Sequence, residues 1–516
     1  MSRAPLLCGI DAGTSRIRAV IFRPDGRLVA EAAVATPTRH LGPGRAEHDA
    51  EELWSAAVRA IRGAVAQVDE PSRIRGIAAA SFGEAGVLLD AQGRPTGPVV
   101  AWFDNRTAGV LHELVERIGF ERLHGTTGLC PDPTFSLPKL LWQRRERPEA
   151  FAAATAWLHT ADFIAWRLCG EMATDVSLAS RTMALDITAG RWAADLLAEA
   201  GIPARLLCPL ADPGLRLGGL TPEAARATGL DAAIAVGVAG HDHVCGMLAV
   251  GGDRPGIVLD SMGTAEALTF TLDRPIVDPA FGRLGFNQGM ARREPPLLYL
   301  FGGLPTSAAC VEWFRGMAGD DVDHARLIAE AGEVPPGSDG VLFLPHLRLG
   351  SPPWPDAVAR GAFLGLSDRS GRGAMFRAVL EGMALDVAHM LRTMRAHVGG
   401  PGPMRLIAIG GSTRNTLLMR IKASLFGRPI AVAETTESTC LGAAMMAAIA
   451  AGLFADLEAA QRAMGPGFVE IGPDPAWPPA AAAALLDAYA ETYAGMRGLQ
   501  QQFRAGLSAA SSPPGG

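Results

Sequence analysis

Apolar residues from Leu6 to Ile10 stop at Asp11, pass through Ala12, Gly13, Thr14 and Ser15, and resume in alternation at Ile17, Ala19 and Ile21. That pattern predicts a strand, a tight turn and a second strand. RLVAEAAVAT (27–36) predicts a third strand. AEELWSAAVRAIRGAVAQV (50–68) carries apolar residues at helical spacing, and IRGIAAASF (74–82) predicts a strand reaching a polar edge at Ser81 and Glu84. The opening layout returns in GIVLDSMGTAEALTF (256–270). Ile257 to Leu259 run into Asp260, Ser261, Met262, Gly263 and Thr264, and apolar residues follow at Ala267, Leu268 and Phe270. One such turn reads most simply as a hairpin with aspartate as a turn residue. Two of them, at the starts of near-equal halves, predict a duplicated domain with phosphate-facing turns across a cleft; chance recurrence in a glycine-rich chain is the alternative.

The second half continues in the same style. GAMFRAVLEGMALDVAHMLRTMRAHV (373–398) predicts a long amphipathic helix, and RLIAIGGSTRNTLLMRIKASLFGRPI (405–430) predicts strand, Gly-Gly turn and helix. TCLGAAMMAAIAAGLF (439–454) predicts another helix, whose Gly442 and alanines suit close packing. Strands alternating with helices make the chain α/β. From about Trp477 it is Ala-rich and ends in SSPPGG, which predicts an appended helix and a frayed tail.

Length and charge narrow the picture. At 516 residues the chain exceeds the size at which single cores stop growing, so two domains are expected. A net charge of −6 with no basic block argues against nucleic acid or an anionic membrane as a partner. The cationic residues are almost all arginine, with only Lys139 and Lys422 as lysines. Seven scattered cysteines with no C-x-x-C predict a reducing, cytoplasmic setting rather than a disulfide framework or zinc site. Asp11 interrupts the first apolar run, so no signal peptide is expected, and the apolar stretch 440–455 is short for a bilayer. Neither G-x-x-x-x-G-K-[ST] nor a strand followed by G-x-G-x-x-G occurs.

Between about residues 6 and 455 the motifs resemble the FGGY family of carbohydrate kinases, in the sugar kinase, Hsp70 and actin superfamily. GIDAGTSRIRAVIF resembles the first phosphate loop, AWFDNRT (101–107) the Trp-x-Asp-x-Arg segment, and FSLPKLLW (135–142) the first family signature, with Lys139 and Trp142. GHDHVCGMLAVG (240–251) resembles the segment of the catalytic aspartate and DSMGTAEAL the second phosphate loop. ARGAFLGLSDRSGRGAMFRAVLEG (359–382) is similar to the second signature and IGGSTRN (409–415) to the adenosine segment. The resemblance implies two ribonuclease H-like, actin-like ATPase domains around a central cleft. They would be 1–250 on the sugar and phosphate side and 251–455 on the nucleotide side, with 456–516 as appended helix and flexible tail. Thr134, Gln143 and Ala374 depart from the signatures. Thr134 stands where glycerol kinases place a substrate-contacting tyrosine, which argues against glycerol. SFGEAG (81–86) lacks the Met-His-Gly of xylulose kinases and places Glu84 where glycerol kinases have a hydroxyl-binding glutamate.

The resemblance implies phosphorylation of a small sugar, a ketose (xylulose-like) or polyol, by ATP with Mg²⁺. Asp242 would be the base, its carboxylate projecting from a strand terminus. His241 and His243 flank it, and strand alternation would put both on one side, as in a His-x-His metal pair. No third ligand is evident, and His243 is assigned to sugar hydroxyls. Asp11 would order Mg²⁺ through water. Gly13, Thr14, Gly263 and Thr264 would bracket the β- and γ-phosphates. Gly410 and Gly411 would let backbone lie against adenosine, with Asn415 starting the next helix, where an ordinary helix cap is the alternative. Glu84, Trp102, Asp104, Arg106 and Thr134 are the sugar candidates; Arg106 pairing with Asp104 to brace the loop is an equal reading. The partners are a small sugar or polyol and ATP, with room for a homodimer. A superfamily ATPase without a sugar acceptor, or a non-enzymatic actin-like or sugar-sensing protein, are the competing functions.

Overall fold

The computed structural model describes residues 4–263, 265–319, 321–356, 359–398 and 404–511, with side chains as far as residue 503. Its frame is two sheets of the same design. In the first, Leu6–Ala12, Arg16–Phe22 and Leu28–Ala35 form an antiparallel meander. Ile74–Ser81 and then Ala235–His241 lie parallel to the first strand on its other side. Arg216–Gly218 closes the edge antiparallel. In the second, Ile257–Met262 pairs antiparallel with Glu266–Leu272, which pairs with Leu297–Leu304. Arg405–Ile409 and Ile430–Ala433 run parallel to Ile257–Met262, and Phe468–Ile471 closes that edge antiparallel. The shared order bears out the duplication read from the two Gly-Thr turns.

Local sequence explains the elements. Leu6–Ala12 is buried throughout except at Asp11, as a central strand covered on both faces must be. Helix Ala50–Val65 is capped by Asp49, whose carboxylate accepts the N–H groups of Glu51 and Glu52 at 2.9 and 3.1 Å. Its Leu53, Ala57, Ala60, Ile61 and Ala64 are buried in the same apolar core as the first strand.

Helix Ser438–Ala450 has no amphipathic face, and almost all of it is buried. It lies flat across the first sheet, because glycines on three neighbouring strands leave no side chain in its way. A Cβ at Gly9 would stand 1.9 Å from the Cys440 carbonyl oxygen, and one at Gly76 2.4 Å from that of Ala447. One at Gly237 would stand 2.9 Å from the Ala450 Cβ. The helix uses its own glycine on its other side: a Cβ at Gly442 would stand 2.0 Å from the carbonyl oxygen of Cys245, in helix Asp242–Ala249. The Ala-rich end forms helix Pro479–Ser511, docked where Tyr489 donates to Asp386 at 2.8 Å and Tyr493 to the Trp354 carbonyl at 3.0 Å.

Candidate active site

Register brings the first half-site together. Ala12 and His241 both pair with Ser81, so the carboxyl ends of three parallel strands lie side by side. Asp11, the 81–86 segment and Asp242 therefore meet at one edge, where ligands collect in open α/β sheets. In the second half Ser261 pairs with Ile409. The 410–411 turn thus lies against the turn that follows Met262, and a Cβ on Gly410, at φ 101°, would sit 2.3 Å from the Met262 carbonyl oxygen.

Asp242 stands immediately past a strand terminus. The strand ends at His241, and Asp242 is the first residue of helix Asp242–Ala249. Strand alternation therefore does not relate His241 and His243; their rings still lie 5.4 Å apart because the chain coils there. Asp242 Oδ1 accepts the His243 N–H at 2.6 Å and lies 3.3 Å from His241 Nε2. Burial pushes the Asp242 carboxyl up to about 7, with Glu84 adding and the His243 N–H and Arg181 opposing. Burial holds His243 down to about 4 and His241 well below its ordinary value, so both rings are neutral near pH 7. Behind this loop the His241 N–H donates to Ser177 Oγ at 2.9 Å, and Ser177 donates to the buried Asp175.

Glu84 is buried, and its backbone takes φ 64°, a left-handed conformation rare for residues with a side chain. Its carboxylate accepts Arg181 Nε at 2.6 Å. Arg181 lies over the rings of Phe135 and Phe301, at 5.0 and 5.2 Å, and its Nη1 is buried without a hydrogen-bond partner. Phe301 comes from the second sheet and also meets the His243 ring edge-on at 5.4 Å. Arg181 escaped the sequence reading, although it is the one cation in an otherwise small and apolar stretch, VSLASRTMALDI (176–187).

Trp102 links two candidate groups: its indole N–H donates to Thr14 Oγ1 at 2.9 Å, which leaves the Thr14 O–H free to donate elsewhere. Asp104 and Arg106 form the bracing pair. Arg106 donates to both Asp104 oxygens from Nε and Nη2, at 2.9 and 2.7 Å, and its backbone N–H adds a third bond at 2.9 Å. The Ala46 N–H donates to Asp104 at 2.6 Å, so the carboxylate is fully engaged within the fold. Thr134 donates to Asp132, and Asn415 caps its helix through the Leu418 N–H at 3.1 Å. Gly13 closes its turn by donating to the Arg16 carbonyl at 3.1 Å, and Gly263 donates to that of Ala265 at 2.9 Å. Thr264 lies outside the described residues. Gly411 has open space where a Cβ would stand. Arg18 is held by Glu437 at 2.9 Å.

Asp11 is suited to a cation. Its Oδ1 is buried and accepts no hydrogen bond, and burial, reinforced by Asp242, pushes the carboxyl up to about 8 against the pull of Arg18. Among the described residues no cluster of three or more His, Cys, Asp or Glu forms a protein metal cage. A single carboxylate beside a glycine turn fits the way Mg²⁺ is commonly held, by one or two carboxylates with water and substrate phosphates completing its shell. Among the described residues no helix is long and apolar enough to cross a membrane.

Comparison with known proteins agrees with this geometry. The family model for the N-terminal domain of FGGY carbohydrate kinases matches residues 6–249, and that for the C-terminal domain matches 259–451. A glycerol kinase from Gloeobacter violaceus is 34% identical over 458 residues, covering 87% of this chain and 89% of its own. A xylulose kinase from Bacillus subtilis is 26% identical over 451 residues, covering 87% and 89%. The crystal structure of a xylulose kinase from Rhodospirillum rubrum, 29% identical, superposes with a TM-score of 0.86 and covers 96% of this chain and 100% of that one. The two actin-like ATPase domains expected from the motifs are the fold of such sugar kinases, and with both family domains matched in order, the chain belongs to the FGGY family of carbohydrate kinases, phosphotransferases that act on an alcohol group.

Proposed function

We propose that the chain transfers the γ-phosphoryl group of ATP to a hydroxyl of a neutral four- to six-carbon ketose or polyol, with Asp242 as general base. The observation that carries the reading is the setting of Asp242: a carboxyl held near 7 by burial, at the meeting point of three strand ends, beside two neutral histidines. A base poised there is deprotonated often enough at neutral pH and still basic enough to take a hydroxyl proton. As the acceptor oxygen bonds to the γ-phosphorus and the bond to ADP breaks, the hydroxyl proton passes to Asp242.

The surroundings support a neutral acceptor. Glu84 and Arg181 form an ion pair at 2.6 Å, so the Arg181 charge that would favour a sugar acid is already offset by a carboxylate. Trp102, His243 and Phe301 give apolar ring surface for a carbon chain, and Glu84 and Arg181 give hydrogen-bonding atoms for its hydroxyls. Thr134, tied to Asp132, presents no aromatic face, which supports an acceptor larger than glycerol. Gly13 and Thr14 would contact phosphate oxygens from one side and Gly263 from the other, while the 410–411 turn receives the nucleoside. Asp11 would hold Mg²⁺ through water; when bound, the ion neutralises charge on the phosphates during transfer.

The test is ADP release from ATP-Mg²⁺ with a panel of three- to seven-carbon ketoses, polyols and sugar acids. A four- to six-carbon neutral acceptor should give the highest kcat/KM. Glycerol or a sugar acid as best substrate would overturn the acceptor assignment, and ADP release indifferent to every acceptor would overturn the kinase reading of the site.

A further inference from the structure

Of 47 cationic lysine and arginine residues, only two are lysine, and both are buried: Lys139 is 3% exposed and Lys422 0%. A chain that meets its other cationic needs with arginine keeps lysine at two interior points. Each point suits a compact ammonium whose three donors spread out of one plane, whereas the five donors of a bulkier guanidinium are confined to its plane.

Lys139 Nζ donates to three main-chain carbonyls: Thr134 at 2.5 Å, and Glu84 and Trp102 at 3.3 Å each. These belong to three separate segments, and each carries an acceptor-side candidate. All three donors of one ammonium are thereby spent on fixing loops relative to one another. Lys422 does the corresponding work in the other half. It lies on helix Thr416–Phe426, which leaves the 410–411 turn, and donates to Asp260 Oδ2 at 2.5 Å and to Glu266. Asp260 and Glu266 stand on the two strands joined by the Gly263 turn. Glu266 also accepts Ser307 Oγ at 2.6 Å, and Ser307 precedes helix Ala308–Ala318, whose first N–H donates to the Gly263 carbonyl at 3.4 Å. One ammonium therefore ties the nucleotide turn to both arms of the second phosphate turn.

We propose that Lys139 and Lys422 are positioning residues of opposite half-sites, Lys139 setting the acceptor loops and Lys422 setting the second phosphate turn against the nucleotide turn. The inference rests on the kinase reading above. Neither ammonium is assigned a contact with acceptor or phosphate; each acts through the segments it holds.

The test crosses two variants with two ligands. Lys139→Met and Lys422→Met keep the aliphatic stem and delete the donors. Binding of the non-hydrolysable ATP analogue AMP-PNP is measured by calorimetry, and acceptor KM by ADP release with the best acceptor of the panel. Losing hydrogen bonds from a charged group is expected to weaken the dependent ligand about ten- to a hundredfold. Lys139→Met should raise acceptor KM by that factor and leave AMP-PNP affinity within about twofold. Lys422→Met should do the reverse. Because Lys422→Met strands two buried carboxylates, the compensated variant Asp260→Asn/Glu266→Gln/Lys422→Met is measured beside it, and Lys139→Gln, which keeps two donors, beside Lys139→Met. The compensated triple variant should reproduce the Lys422→Met pattern in the folded protein, and Lys139→Gln should raise acceptor KM less than Lys139→Met while leaving AMP-PNP affinity equally unchanged. Equal losses of both ligands in both variants, or no loss in either, would overturn the proposal. Wild-type protein that binds no AMP-PNP and turns over no acceptor would instead overturn the kinase reading, which separates the two failures.

Discussion

Replacing Gly442 by alanine sets two effects against each other and lets the structure decide between them. Alanine in a helix interior is favoured over glycine by about 1 kcal/mol. Here the added Cβ would stand 2.0 Å from the Cys245 carbonyl oxygen and 2.7 Å from its carbon. Ordinary contact begins near 3.4 Å, so helix Asp242–Ala249 must give way by about 1.4 Å. The clash is with backbone, which cannot swing aside as a side chain can. Overpacking of this kind costs about 1–3 kcal/mol, and an overlap this deep belongs at the upper end, leaving a net loss of about 2 kcal/mol. The helix that must move starts at Asp242, and a displacement of about 1 Å at the chemistry costs on the order of a hundredfold in rate. Gly442→Ala should therefore unfold at lower urea concentration than wild type and lose kcat. Gly316→Ala, in helix Ala308–Ala318 with nothing within 4 Å of the new Cβ, should gain about 0.5–1 kcal/mol. A Gly442→Ala protein as stable as wild type, with native kcat, would refute the packing argument.

Asp242 must be deprotonated to accept a proton, so kcat should fall as pH drops through about 7 and level off above it; a kcat flat from pH 5.5 to 8 would contradict this. Asp104→Ala leaves the Arg106 guanidinium, 4% exposed in its side chain, with Glu47 as its remaining ion-pair partner. Breaking such a buried pair should cost about 3 kcal/mol in urea unfolding, whereas a loss under 1 kcal/mol would show that the pair does not brace its loop.

Apolar periodicity reported the frame faithfully because both sheets are built from central strands buried on two faces. Strands Leu6–Ala12, Ile74–Ser81 and Arg405–Ile409, and helices Ala50–Val65 and Arg372–Val398, lie within a residue or a few of where the pattern puts them. The recurring Gly-Thr turn was legible for the same reason, since a hairpin is a local event. What depends on the partner across space was not. Arg181 reaches Glu84 from 97 positions away, and Lys422 reaches Asp260 from 162. The destination of helix Ser438–Ala450 also lay beyond local reading. Its composition announced close packing, but only Gly9, Gly76 and Gly237 on the first sheet reveal where it packs. The strand-to-helix change between His241 and Asp242 lies between two wholly apolar runs, 234–240 and 244–250, in which neither period stands out.

The central claim is that Asp242 takes the acceptor proton, and Asp242→Asn tests it most directly, because the amide keeps the shape and removes the basicity. Steady-state kinetics on the best acceptor are measured beside calorimetric binding of that acceptor and of AMP-PNP. The account predicts that kcat falls at least about a hundredfold while both affinities stay within a few-fold. A variant that binds both ligands and keeps near-native turnover would contradict it.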